Sequence, residues 1–316
     1  MLQKIGLFVA AAALAGAQAR DWNKPFPAHK VIGNVYFVGT AELGSFLITT
    51  PEGHFLINSD FESTVPSIRA SVEKLGFKFT DIKILLGSHA HGDHMQADAL
   101  VKEFTGARVM AMEQDVPVLR KMKPGGKEHP IDRILKDGDE VKLGGTTLVA
   151  HLTAGHTQGC TSWTFKTEEG GKTYDVMILG SIGVNPGYIL VNNKDYPQIA
   201  DDYIRSFKSL RAMHVDVFLA SHGVFYGLNE KYPRLGKSEV NPFIDPSGYQ
   251  EHINLKEKEF YAELDKQKKA QYDGPPKRIR SGEIELCRSA KNRPILRVAR
   301  RDYRATKTFF LHFVAG

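Results

Sequence analysis

The chain has 316 residues, 42% hydrophobic and 25% charged. That is enough for a large core in one or two domains, and it excludes collagen, coiled coil, a disulfide-rich mini-scaffold and wholesale disorder. The formal net charge of +6 raises a nucleic-acid or anionic partner as a candidate, but the charge is unevenly placed. Residues 270–316 hold 11 Lys and Arg against 4 Asp and Glu, and the rest of the chain is close to balance.

Lys4, the apolar run Ile5 to Gly16 and the small-x-small triplet Ala17-Gln18-Ala19 read as an export signal over residues 1–19. The run lacks an amphipathic period and is shorter than the roughly 20 apolar residues a membrane anchor needs. The expected product is a chain starting near Arg20, periplasmic or secreted from a bacterium, with no membrane association after cleavage. Cys160 and Cys287 are the two cysteines, so disulfides do not supply most of the stability. Both are expected as free thiols.

From there the chain alternates. Val35 to Val38, Ser45 to Thr49 and His54 to Ile57 read as strands. Ser63 or Thr64 is placed to cap a helix carrying Val65, Ile68, Val72 and Leu75, which Gly76 ends. A buried strand at Ile82 to Leu86, a helix with Ala97, Leu100, Val101 and Phe104, and a strand at Arg108 to Met112 follow. After a Gly/Pro loop come strands near Glu140 to Leu143, Thr146 to Leu152, Ser162 to Lys166 and Asp175 to Leu179, then a helix from about Pro197 to Met213. Val215 to Ala220 is a further strand, and Gly248 to about Lys268 a last amphipathic helix with Ile253, Leu255, Phe260 and Leu264. The pattern predicts an α/β fold, and the absence of a Pro/Gly/Ser-rich linker predicts one domain.

The chemistry concentrates at His89-Ala90-His91-Gly92-Asp93-His94, directly after the strand Ile82 to Leu86. A loop leaving the end of a buried strand is where α/β proteins place function. Three imidazoles and a carboxylate are the borderline-soft ligands that suit zinc. Packing them together without a metal is costly, since protonated imidazoles repel and buried polar groups need partners. In an extended loop His89 and His91 point the same way, while Asp93 and His94 begin the next helix and face a second ion. Six residues do not close two sites. The further candidates are His156 in Gly155-His156-Thr157 and His222 in Ser221-His222-Gly223, each in a loop following an apolar strand. His151 and His214 lie inside or ahead of strands and read as packed or surface residues.

These motifs together resemble the metallo-β-lactamase superfamily, and its subclass B3 of β-lactamases in particular. Gly159-Cys160-Thr161-Ser162-Trp163-Thr164, Asn185-Pro186-Gly187-Tyr188 and Asn241-Pro242-Phe243-Ile244-Asp245 carry the subclass likeness, which extends over roughly Trp22 to Lys269. The resemblance implies a four-layer αββα sandwich with the site at one edge. It implies one zinc on His89, His91 and His156, a second on Asp93, His94 and His222, and hydrolysis of the lactam amide of penicillins, cephalosporins or carbapenems. The nucleophile would be a zinc-bound hydroxide oriented by Asp93, with no covalent enzyme intermediate. Relatives that act on lactones, thioesters or phosphodiesters usually carry a metal-bridging aspartate where this chain has Ser181. Subclass B3 has a serine there, and Ser181 would then bind substrate. Gln158 stands where the subclass often has proline, and Gly183 where a second substrate-binding hydroxyl is common.

Three rivals remain on the sequence: another hydrolase of the same fold, nucleic-acid binding through the basic tail, and non-catalytic zinc binding. Ser181 opposes the first. The tail lacks a nucleic-acid-binding motif and the export signal opposes the second. Adjacent metal sites with open positions suit hydrolysis rather than the third. A serine β-lactamase is also excluded, since Ser71-Val72-Glu73-Lys74 lies inside a predicted helix without its companion motifs. The expected protein is thus a monomer with a small-molecule substrate and no nucleic-acid partner. Its catalytic domain spans residues 20–269, followed by an irregular or disordered basic extension at 270–316.

Overall fold

The computed structural model describes residues 21–272 and the backbone of 287–288 and 294–295. The expected export signal and most of the basic extension lie outside the described residues. The first sheet runs β1 (His29–Ile32), β2 (Val35–Phe37), β3 (Phe46–Thr50), β4 (Gly53–Ile57), β5 (Ile82–Leu86), β6 (Arg108–Met112) and β7 (Arg133–Leu135), adjacent in that order. The first four pair antiparallel, and β4 through β7 pair parallel. Parallel pairing needs crossovers. The crossover from β4 to β5 contains α1 (Val65–Lys74), and that from β5 to β6 contains α2 (Gly92–Met95) and α3 (Asp98–Thr105). The short α4 (Val116–Leu119) follows β6.

The period of two along these strands divides their side chains between two layers. Leu47, Leu56, Leu85 and Val109 pack with Val65, Ile68 and Val72 of α1 and Val101 of α3. Phe46, Ile48, Phe55, Ile57, Ile84, Leu86 and Met110 face the other way, into the interface with the second sheet. That sheet comprises β8 (Glu140–Leu143), β9 (Thr146–Leu152), β10 (Thr161–Glu169), β11 (Lys172–Leu179) and β12 (Val217–Ala220), in the order β12-β11-β10-β9-β8. Its outer face is covered by α5 (Ile199–Ala212) and α7 (Pro246–Tyr272), through Tyr203, Phe207, Leu210, Ile253, Phe260 and Leu264. The single-turn α6 (Leu228–Lys231) lies between β12 and α7 in the chain. The layers are therefore α, β, β, α in one domain. Each fully buried Leu, Ile or Phe contributes about 1.5–3 kcal/mol to holding them together.

The predicted strands and long helices all form, with differences at their ends. β1 and β7 are additional edge strands. The β10–β11 hairpin extends past the core through paired polar residues such as Glu168 and Thr173. Neither Ser63 nor Thr64 caps α1: the Thr64 hydroxyl donates back to the Phe61 carbonyl at 2.6 Å, and Ser63 donates to Asn23. Gly76 does end α1, with φ of 89°. Helix α7 begins two residues before Gly248. Asp245 is its cap, accepting from the Gly248 N–H at 2.8 Å, with Pro246 at the first helical position. The helix also runs four residues beyond Lys268, to Tyr272. Phe104 and Leu255, expected on buried faces, are 47% and 51% exposed. In the C-terminal unit, β13 (Cys287–Arg288) pairs antiparallel with β14 (Pro294–Ile295). Cys160 is a buried free thiol, whose pKa burial pushes up to about 12. The Cys287 side chain lies outside the described residues.

Candidate metal centre

Three strand ends deliver the site. His89 and His91 follow β5, His156 follows β9 and His222 follows β12. The chain at the first of these is fixed from both sheets. Asn58, at φ 66°, accepts from the Ser88 N–H at 2.9 Å and donates to the Gly44 carbonyl at 2.9 Å. The Thr161 N–H donates to Ser88 at 2.7 Å, and Trp163 Nε1 to the Gly87 carbonyl at 3.1 Å. The sheets also approach at Gly44, whose N–H donates to the Ser221 carbonyl at 2.8 Å. A Cβ on Gly44 would sit 2.3 Å from the Ala220 carbonyl oxygen, so only glycine fits. A single bridge between Leu43 and His222 beside it aims the His222 ring inward.

The six expected ligands come together as two groups. One ligand atom each from His89, His91 and His156 lie within 4.8 Å of one another, and so do those of Asp93, His94 and His222. The groups adjoin: the His89 and His94 ring centroids are 4.3 Å apart. Asp93 Oδ2 leans between His94 Nε2 at 3.2 Å and His222 Nε2 at 3.6 Å. Backbone acceptors orient the rings. His156 Nδ1 donates to the Gly183 carbonyl at 2.7 Å and His222 Nδ1 to the Glu42 carbonyl at 3.2 Å, leaving Nε2 of each for the centre.

Electrostatics favour neutral rings. Burial, reinforced by the neighbouring imidazoles, holds His89 and His94 well below the ordinary histidine range. Burial and His91 bring His156 down to about 3. A neutral imidazole has a lone pair to give. His89 Nε2 and both ring nitrogens of His94 are buried without a hydrogen bond. Leaving such groups unmade costs about 1–3 kcal/mol each, and a soft divalent cation on those lone pairs removes the cost. The residues present therefore fit zinc.

Ser181 follows β11, is 2% exposed, and accepts through its carbonyl from the Cys160 thiol. His151 and His214, read as packed or surface residues, stay out of the centre: His151 bonds Thr164 and His214 pairs with Asp216. Two buried acids that touch the ligand segments escape a reading of the sequence. Asp115 accepts from the Ala90 N–H at 2.8 Å, the Thr157 hydroxyl at 2.9 Å and the Gly159 N–H at 2.7 Å. It thereby joins the His89–His91 loop to the His156 loop. Asp60 accepts from Ser45 at 2.7 Å, and its N–H donates to the His94 carbonyl. Burial pushes the pKa of both upward. Nothing local marks either one, because their partners are 25 to 44 residues away for Asp115 and 15 for Asp60.

Two packed sheets flanked by helices, with a two-part His/Asp centre at the strand ends, define a metal-dependent hydrolase architecture. The chain belongs to the metallo-β-lactamase superfamily, whose family model matches residues 33–222. Its structural neighbours include subclass B3 enzymes. The FEZ-1 metallo-β-lactamase from Legionella gormanii is 49% identical with a TM-score of 0.75, covering 78% of this chain and 98% of that one. The subclass B3 enzyme BJP-1 of Bradyrhizobium japonicum is 36% identical with a TM-score of 0.73, covering 79% and 98%. A curated relative, the hydroxyacylglutathione hydrolase of Rhodopseudomonas palustris (strain BisB5), is 32% identical over 120 residues, 38% of this chain. The chain spans about two-fifths of the length of the curated relatives it matches. No helix among the described residues is long and apolar enough to cross a membrane.

Proposed function

We propose that this protein is an exported zinc β-lactamase that hydrolyses the amide bond of β-lactam antibiotics, holding two zinc ions per chain. The observation that carries this reading is the pairing of an all-imidazole group with an adjoining Asp93-His94-His222 group whose single carboxylate is Asp93. Zinc, when bound, supplies Lewis acidity that polarises a carbonyl and makes water nucleophilic at neutral pH. Asp93 accepts a hydrogen bond from the nucleophile and fixes its direction. His156 and Tyr188 form one wall, their ring centroids 5.8 Å apart, with the Tyr188 hydroxyl donating to the His156 carbonyl at 2.9 Å. Ser181 offers a hydroxyl for the substrate carboxylate. The body of the protein, residues 20–269, carries 30 basic against 32 acidic side chains, so the substrate anion is met by the centre rather than by a basic surface.

In this reading residues 1–19 are a cleaved signal, residues 20–269 the catalytic domain and 270–316 an appended basic segment. The enzyme acts as a periplasmic or secreted monomer without a nucleic-acid or membrane partner. The likeness to hydroxyacylglutathione hydrolases keeps thioester hydrolysis as the competing activity. Ser181, in place of a metal-bridging aspartate, speaks against it. A substrate panel decides: we expect hydrolysis of carbapenems and cephalosporins that disappears on chelation and returns with zinc, and thioester cleavage at least a hundredfold slower. Faster thioester cleavage, or β-lactam hydrolysis that survives metal removal, would overturn the proposal.

A further inference from the structure

A buried ion pair lies behind the centre, unused by the chemistry above. His129 and Asp98 have side chains 0% and 1% exposed, with His129 Nε2 3.2 Å from Asp98 Oδ2. The same nitrogen is 3.1 Å from the Met95 carbonyl oxygen, and Nδ1 is 3.1 Å from the Pro130 carbonyl oxygen. Both ring nitrogens thus face acceptors only. A neutral ring would turn a lone pair on an oxygen and leave the Asp98 carboxylate buried without a counter-charge, which is strongly destabilising. These surroundings favour the imidazolium.

The pair is connected to the metal ligands through backbone. Asp98 Oδ1 accepts from the Ser59 hydroxyl at 2.6 Å. The N–H groups of Ser59 and Asp60 donate to the His94 carbonyl at 3.0 and 3.1 Å, and the Ala97 N–H donates to the Asp60 carbonyl at 3.0 Å. Helix α2 is one turn long and carries both Asp93 and His94. Its last two carbonyls, those of His94 and Met95, meet the Ser59–Asp60 amides on one side and His129 on the other, and Asp98 holds the two sides together. The segment bearing His129 is itself tied to α3 by ion pairs from Lys127 to Glu103 and from Asp132 to Lys102. It packs Ile131 with Met122, Ala90, Met95 and Leu119 directly behind the ligand loop.

We infer that His129, paired with Asp98, is a positioning residue that fixes the Asp93–His94 half of the centre and so governs binding of the second metal ion. The inference rests on the two-ion reading above. Burial alone would lower the His129 pKa, but Asp98 and the two carbonyls outweigh it and raise the value above the ordinary histidine range. The sign follows: a raised pKa means the pair is intact at low pH and is lost as pH rises through the folded value. Asp98 faces the ring from α3, with Lys102 and Glu103 of the same helix engaged by Asp132 and Lys127.

H129Q alone strands a buried carboxylate, so the deciding variant is D98N/H129Q, which leaves no charge behind. Calorimetric titration of the metal-free full chain with Co²⁺ should show the second ion bound about tenfold or more weakly than in wild type, with the first unchanged. Loss of a group that orients metal ligands from behind typically costs that much. Hydrogen exchange of the Met95–Ala97 amides should be faster in the metal-free variant. In wild type their protection should fall as pH rises above 6.5 through the raised His129 value, once intrinsic exchange is corrected. Wild-type affinity for the second ion together with unchanged exchange would overturn the inference. If wild type takes up one ion only, the two-ion reading fails, and the exchange data still judge the pair.

Discussion

Asp115 is one side chain that decides whether two ligand loops form one centre. Its oxygens take three donors: the Ala90 N–H between His89 and His91, the Thr157 hydroxyl next to His156, and the Gly159 N–H. In D115N the carboxamide nitrogen must face one of these donors, leaving a buried N–H or hydroxyl unmet at about 1–3 kcal/mol. We expect the urea midpoint to fall accordingly and kcat to drop about tenfold or more as the two loops lose registry. Wild-type values of both would show the carboxylate to be incidental. Gly183 is the converse case, a position where something is missing. A Cβ there meets nothing within 4 Å, and its carbonyl already accepts from His156 and from the Tyr203 hydroxyl at 2.8 Å. Gly183→Ser should therefore fold normally and add a hydroxyl beside Ser181. A gain of about 1 kcal/mol from one hydrogen bond to a substrate carboxylate lowers KM roughly fivefold. An unchanged KM would place the substrate carboxylate elsewhere.

Helix α7 shows how a remote element shapes the wall of the site. Gln267 works like a strand neighbour for the Tyr188 loop, donating to the Tyr188 carbonyl at 2.7 Å and accepting from the Leu190 N–H at 2.7 Å. One turn on, Gln271 accepts from Asn192 at 2.9 Å. Q267A removes these two bonds to the loop, worth about 0.5–1.5 kcal/mol each, together with one to Glu263 on the same helix. Because these bonds order a binding wall rather than a reacting group, KM should rise about fivefold while kcat holds. A fall in kcat instead would move Tyr188 into the chemistry. None of this was readable in the sequence, where Gln267 is a polar residue in a charged stretch. What could be read were features with a local signature: the alternation of β3 to β6, the glycine ending α1, and histidines placed after apolar strands. The structure brings His89, His91 and His156 into one group and Asp93, His94 and His222 into another. The edge strands β1 and β7 escaped because three or four residues carry little periodicity. The start of α7 was misplaced because its Asp245-Pro246 cap precedes the apolar repeat. Asp98, Asp115 and His129 escaped because they act through contacts across long stretches of chain.

The near-neutral body carries a specific sensitivity to acid. Its buried histidines, not its net charge, set the acid limit of the fold. His252 lies against Phe218 and Phe225, and burial with Lys256 nearby lowers it to about 4. Burial also lowers His29, and in the metal-free protein it holds His156 near 3. For each, the folded pKa lies below the unfolded value of about 6.5, so the unfolded chain takes up the proton first. Stability is complete above that pH and declines as pH falls toward the folded values, by up to about 1.4 kcal/mol per unit for each group. The metal-free protein should therefore lose several kcal/mol between pH 7 and 5, read from urea midpoints, and His252→Leu should flatten part of the slope. Zinc competes with protons for His156, so the loaded protein should hold its midpoint further into acid. A chain ending at Tyr272 should give the same profile, since these histidines and the described core precede the basic segment that supplies the protein's net charge. A profile altered by that deletion would mean the segment shares in the stability of the fold.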